Sequence, residues 1–155
     1  MDLLKFKFDL QRFATTDADL VIYSTTATVK TLAGMRAALN NTSVSKIVLA
    51  NNITVDSGGE LTVQTVSGNN TTNHGIDRTL EIDFSGYTLT YDQDICNQIF
   101  SVDADGNVTF KNGSIVVTNN STNLHRAIYN AGTVTCENLI INNSVGGCLE
   151  KFSQN

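Results

Sequence analysis

The side chains able to do chemistry are few, and they lie in polar stretches. Asp103-Ala-Asp-Gly-Asn107 has the alternating oxygen ligands that open a calcium-binding loop. The position where a bidentate Glu would close such a loop holds Ser114, and no helical pattern flanks it. The stretch therefore reads as a tight turn. Asp92 and Asp94 could share a cation with Asp103 only if their loops converge. His74 and His125 lie in different polar stretches. Paired with Asp77 or Arg126, either would have the partners of a hydrolytic acid–base site. Nothing nearby completes a nucleophile, base and orienting group around His74, Asp77 and Arg78, so these three are expected to carry no catalysis. The chain has no phosphate-cradling glycine loop, no G-x-S-x-G and no H-E-x-x-H. Its cysteines, Cys96, Cys136 and Cys148, are odd in number and form no C-x-x-C, which argues against a metal knuckle or a disulfide framework. Cys136 and Cys148 fall at apolar positions and are expected in the core; Cys96 falls in a loop. No cofactor is expected.

The elements that would position these groups repeat. Thr79–Tyr91, Asn107–Thr118 and Thr133–Asn142 each read as an alternating strand, a polar turn and a second strand. The turn residues Ser85, Asn112 and Asn138 are spaced by about 27 and about 26 residues, a range typical of solenoids. A third strand precedes the last two copies, at Gln98–Val102 and Arg126–Asn130. Alternation places Leu80, Ile82, Val108, Phe110, Ile115, Val117, Val134, Cys136, Leu139 and Ile141 inward. Glu81, Thr109, Lys111, Thr135 and Glu137 should face water. Ile82, Phe110 and Cys136 should form one stacked line.

The stretches LEIDFSGYTLT, NVTFKNGSIVVTN and AIYNAGTVTCENLIINNS resemble coils of the pectate-lyase-like right-handed β-helix superfamily. The resemblance covers about residues 30–152. It implies an all-β fold, a right-handed parallel β-helix of about four coils. It also implies an asparagine ladder at one turn, which maps onto Ser85, Asn112 and Asn138, with Ser85 departing from the pattern. The pectate lyases themselves carry calcium-binding aspartates and an arginine base. The residues here that would stand for them are Asp77, Asp83, Asp92, Asp94, Asp103 and Asp105, with Arg78, Arg126, His74 or His125 as base. The superfamily also contains hydrolases, adhesins and phage spikes, so the fold alone assigns no activity.

The chain has 155 residues, a net charge of −5 and 41% hydrophobic residues. One domain with a real core fits that length. The acidic balance argues against nucleic acid and anionic membrane surfaces. No segment is long and apolar enough for membrane insertion. Residues 1–29 read as an amphipathic strand arm and a lead-in strand, 30–152 as the solenoid with a capping helix at 31–40, and 153–155 as a tail. In the arm, Leu4, Phe6, Phe8 and Leu10 share one parity, with Phe13 beyond them. The arm lacks the uninterrupted apolar run of a secretory signal. Its KFDLQRFA segment resembles the openings of secreted or surface repeat proteins. Gly147-Cys-Leu-Glu150 starts a coil that does not complete, which leaves an open sheet edge.

Taken together, the expected protein is a non-enzymatic structural or interaction module, extracellular or at the cell surface. It would form a head-to-tail homo-oligomer, possible as a filament, through Leu4, Phe6, Phe8, Leu10 and Phe13 of the arm and Cys148, Leu149 and Phe152 of the last coil. The arm could instead fold over its own first coil. A carbohydrate-binding or adhesive module is the alternative, with the polar loops at 66–78, 92–97 and 119–126 as the binding side. A polysaccharide lyase or hydrolase ranks last.

Overall fold

The computed structural model describes residues 19–93, 98–118, 126–143 and 149–151. Strands β1 (Leu20–Tyr23) and β2 (Thr26–Val29) precede helix α1 (Leu32–Asn40). Then come β3 (Lys46–Leu49), β4 (Ile53–Val55), β5 (Val63–Ser67), β6 (Asn70–His74), β7 (Thr79–Asp83) and β8 (Thr88–Tyr91). The rest is β9 (Gln98–Val102), β10 (Asn107–Val117), β11 (Arg126–Asn130), β12 (Thr133–Asn143) and β13 (Leu149–Lys151). The described chain is thus mostly β with one helix. No described helix is long and apolar enough to cross a membrane.

Alternation in sequence becomes stacking in space. Ala27, Ile47, Ile82, Phe110 and Cys136 are register partners in succession along β2, β3, β7, β10 and β12, all parallel. Ile53, Leu89, Ile115 and Ile141 form a second line through β4, β8, β10 and β12. Phe100, Ile128 and Leu149 align in a third row, β9–β11–β13, which Leu61 joins by a bridge to Phe100. The first and third rows meet across the core, where the Phe100 and Phe110 rings lie 5.0 Å apart. Each repeat buries apolar side chains only by lying on its neighbour.

Two pairings depart from this parallel order, so the sheets are mixed. β1 runs antiparallel to β2 through a tight turn at Ser24, whose φ is 56°. β5 and β6 pair antiparallel as a separate two-stranded sheet. Residues 66–78, expected as a polar loop, hold β6 and the end of β5. Leu61 and Ile76 each bridge to the third row, at Phe100 and Val102, and between them the chain turns out into the β5–β6 hairpin. Thr71, Thr72 and Asn73 give β6 no apolar parity, so its pairing rests on backbone hydrogen bonds that alternation cannot signal.

Helix α1 begins where Thr31 Oγ1 accepts the Gly34 N–H at 3.1 Å. It lays Met35, Ala38 and Leu39 into the core. Gly34 passes so close to the Asp19 carbonyl that any Cβ would collide with it. Most of the expected interior is buried: Leu80, Ile82, Val108, Phe110, Ile115 and Val117. Val134, Leu139 and Ile141 of β12 are only partly buried, and Cys136 is exposed. Cys136, expected in the core, is at the surface instead. Its register is as expected, but β12 is the outermost described strand of its row and nothing described covers it. The arm residues Leu4, Phe6, Phe8, Leu10 and Phe13 lie outside the described residues, as do Asp94, Cys96, His125, Cys148 and Phe152. Leu149 is described as part of β13, paired with Ile128.

Candidate functional site

The hairpin base gathers the one acid–base cluster that the structure brings together from the expected residues. His74 Nδ1 is 2.8 Å from the Gly75 carbonyl, so it carries the proton and donates. His74 Nε2 is 2.8 Å from Thr65 Oγ1 and accepts from that hydroxyl in the neutral ring. Asp103 and Asp77 carboxylates stand 3.8 and 3.9 Å from Nδ1. Both ring nitrogens are therefore engaged by the hairpin and its exit, and His74 ties β5–β6 to the turn at Asp103. That turn closes through the Gly106 N–H donating to the Asp103 carbonyl at 2.8 Å. Among the described residues no three His, Cys, Asp or Glu side chains converge as a metal site. Asp92 accepts from Thr118 Oγ1 at 3.1 Å, and the Arg126 guanidinium carbon lies 5.9 Å from the Tyr129 ring centre.

Arg78 is engaged structurally. Its Nη2 donates to the Leu39 and Asn41 carbonyls at 2.8 and 3.4 Å, and its Nε to Val44 at 3.3 Å. These are carbonyls at and beyond the C-terminus of α1, where a cation is favoured. Burial pushes the Arg78 pKa down, against the opposing pull of Asp77. Sequence reasoning offered Arg78 only as a base, because a partner 39 residues away leaves no local signal.

At the turn between the two main rows, Ser85, Asn112 and Asn138 all adopt positive φ, at 50°, 58° and 49°. Asparagine tolerates this conformation better than most side chains. Asn138 Nδ2 donates to Asn112 Oδ1 at 3.5 Å, and Asn112 Nδ2 donates to Asp83 Oδ1 at 3.2 Å. Ser85 has no carboxamide, and Asp83 stands in for it. The same Asp83 oxygen accepts the Ser85 N–H at 2.9 Å. Burial works to raise the Asp83 pKa, but these bonds and the nearby Lys46 and Lys111 hold it below the ordinary carboxylate range.

A cleft that the sequence did not suggest opens between α1 and the hairpin. Its volume is about 330 Å³, and it is lined by Arg36, the Gly58–Gly59 turn, Glu60, Thr62, Gln64 and Asn73. Arg36 Nη1 donates to the Glu60 carbonyl at 2.9 Å, and Nη2 to the Ser57 and Gly59 carbonyls at 2.9 and 3.1 Å. Buried Gln93 holds the other side, accepting the Gly59 N–H at 3.1 Å. Gly58 and Gly59 have φ of 74° and 70°, which side chains with a Cβ rarely adopt. The paired glycines are the one signal in the sequence that could have drawn attention to this turn.

The family model for the "putative pectate lyase-like adhesive domain" matches residues 26–146. The chain belongs to this family of pectate lyase-like adhesive domains. No significant match is found among curated proteins or among solved structures. The match begins at the first residue of β2 and runs just past β12. It therefore takes in the stacked rows except β13, together with the ladder turn and the cleft of this adhesive domain.

Proposed function

We propose that the adhesive domain is a non-enzymatic structural module that works outside the cell or at its surface and assembles end to end, head to tail, with copies of itself. In this reading the three rows are the faces of one right-handed parallel β-helix of about four coils, with α1 over its first coil. What supports the β-helix is the unbroken parallel register from Ala27 to Cys136 and, from Ile82 to Cys136, the repeat of about 26 to 28 residues. Right-handed crossovers are the rule for parallel strands.

One observation carries the assembly. Five large hydrophobic side chains are exposed among the described residues, and four of them lie on strands with one described neighbour in the same sheet: Val21, Ile22 and Tyr23 on β1, which pairs β2, and Ile140 on β12, which pairs β10. Tyr23 and Ile140 are the most exposed, at 65% and 67%. An apolar edge strand attracts another edge. A contact between unlike edges that does not close on itself propagates as a filament. Residues 1–13, with Leu4, Phe6, Phe8, Leu10 and Phe13, would add a strand to the neighbour's last coil near Cys148, Leu149 and Phe152. Light scattering decides it: the full chain should show mass above the monomer, and deletion of residues 1–13 or Ile140→Asp should lower it. Monomers for both the full and truncated chains at high concentration would end the assembly reading. The alternative function, carbohydrate binding, is favoured by the polar cleft beside the hairpin.

A further inference from the structure

We propose that the cleft between α1 and the β5–β6 hairpin binds an uncharged saccharide, one or two sugar rings of a glycan. The inference rests on the adhesive part of the reading above and is independent of assembly.

The lining is polar throughout and balanced in charge. It offers one guanidinium, one carboxylate, one hydroxyl and two carboxamides, and no apolar side chain larger than glycine's hydrogen. Each of these groups has hydrogen-bonding capacity left. Arg36 uses three N–H groups on carbonyls, which leaves Nε–H and one Nη1 hydrogen. Glu60 Oε2 accepts from Gln98 Nε2 at 3.0 Å, while Oε1 has no partner among the described residues. Burial raises the Glu60 pKa, the mark of a carboxylate short of donors. Gln64 and Asn73 face each other across the hairpin as register partners, and neither carboxamide has a partner among the described residues. A ligand that both donates and accepts at several points satisfies such a set, and vicinal hydroxyls do so.

The same lining disfavours other ligands. A phosphate or uronate would meet the Glu60 carboxylate and a single arginine already committed to three carbonyls. An apolar ligand would desolvate amides and ions with no compensation. The volume, about 330 Å³, lies at the small end of ligand pockets, about 300–1,000 Å³. No aromatic ring lines the cleft, so no stacking face adds to the hydrogen bonds. Weak single-site binding, at about 1–10 mM, is the expected result, and repeated copies on a surface would raise it by avidity. The site is also held in shape before binding: Arg36 and Gln93 grip the Gly58–Gly59 turn from two sides.

The test is a titration of the full chain with cellobiose, maltose, lactose and digalacturonate, followed by amide chemical shifts in NMR. At least one neutral disaccharide should move the Gln64 and Asn73 signals with a dissociation constant of about 1–10 mM. Gln64→Ala and Asn73→Ala, both at exposed positions, should weaken that binding at least about fivefold with an unchanged melting temperature. Glu60→Gln should weaken it too. No response at these residues to any neutral disaccharide up to about 50 mM would overturn the proposal. So would a response to digalacturonate alone, or neutral-sugar binding that survives both alanine substitutions. Light scattering on the same samples separates the two readings. Binding by a monomer keeps this inference and removes assembly; assembly without binding does the reverse.

Discussion

Phe110 and Cys136 stand on the same line, one strand apart, and have opposite fates. Phe110 lies on β10, between β7 and β12, and is fully buried. Cys136 lies on β12, with β10 on one side, and is exposed. The same contrast runs through the whole strand: Ile115 is fully buried, whereas its partner Ile141 is only partly so. Burial in this chain is conferred by the next strand rather than by the parity of the residue. A strand with a described neighbour on one side only keeps the inward pattern without the burial.

The largest effect should come from the centre of the line. Phe110→Ala should cost about 3–5 kcal/mol in urea unfolding, a cavity at the meeting point with Phe100. Cys136→Ala should cost under about 1 kcal/mol in the same assay. Equal costs would break the comparison and would mean that the end of the row is covered in solution.

Arg78→Ala should follow, at about 2–4 kcal/mol by thermal or urea unfolding, since three carbonyls around the end of α1 lose a charged donor. A polysaccharide-cleaving activity that disappears with Arg78→Ala would instead make it a catalytic base.

The ladder turn offers a smaller version of the same contrast. Asn112→Ala should cost about 1–2 kcal/mol, through a positive φ and its bond to Asp83. Asn138→Ala, at the outermost rung with a single long bond, should cost less. Asn112→Gly keeps the backbone and isolates the side-chain part. A larger loss for Asn138 than for Asn112 would show that the outer rung is supported by something beyond β12.

The smallest effect is electrostatic. Hydrogen bonds from Lys46 and Lys111, 2.7 and 2.9 Å from Glu81, hold its pKa below the ordinary value. A carboxylate depressed in the folded state adds stability above its unfolded pKa, and the gain is lost as pH falls through the folded one. Stability should therefore drop below about pH 4.5, and by no more than about 0.5 kcal/mol for this partly exposed cluster. Glu81→Gln should flatten that part of the pH profile, which denaturant midpoints at several pH values would show.

Much of the fold was legible because two local signals carry it. Period-two alternation marked β7, β8, β10 and β12, and the Thr31 cap with Met35, Ala38 and Leu39 marked α1. Of the expected site residues, the turn positions Ser85, Asn112 and Asn138 could be read from spacing, and the structure gives all three the same backbone conformation. The cleft could not. Its parts come from a helix, a glycine turn and a hairpin, and Arg36 reaches carbonyls 21 to 24 residues away. The hairpin was hidden for a different reason: Gln64, Thr65, Thr71 and Thr72 are polar on both parities.

The sequence by itself determined which residues alternate, where the chain turns and how long each repeat is, because these follow from side-chain parity and the few residues that accept positive φ. Only the tertiary structure decided which repeats are covered, where Arg36 and Arg78 are held, and that Asp83 completes a rung that Ser85 cannot. Those outcomes depend on groups brought together from distant parts of the chain, and no local pattern of residues encodes a distance in space.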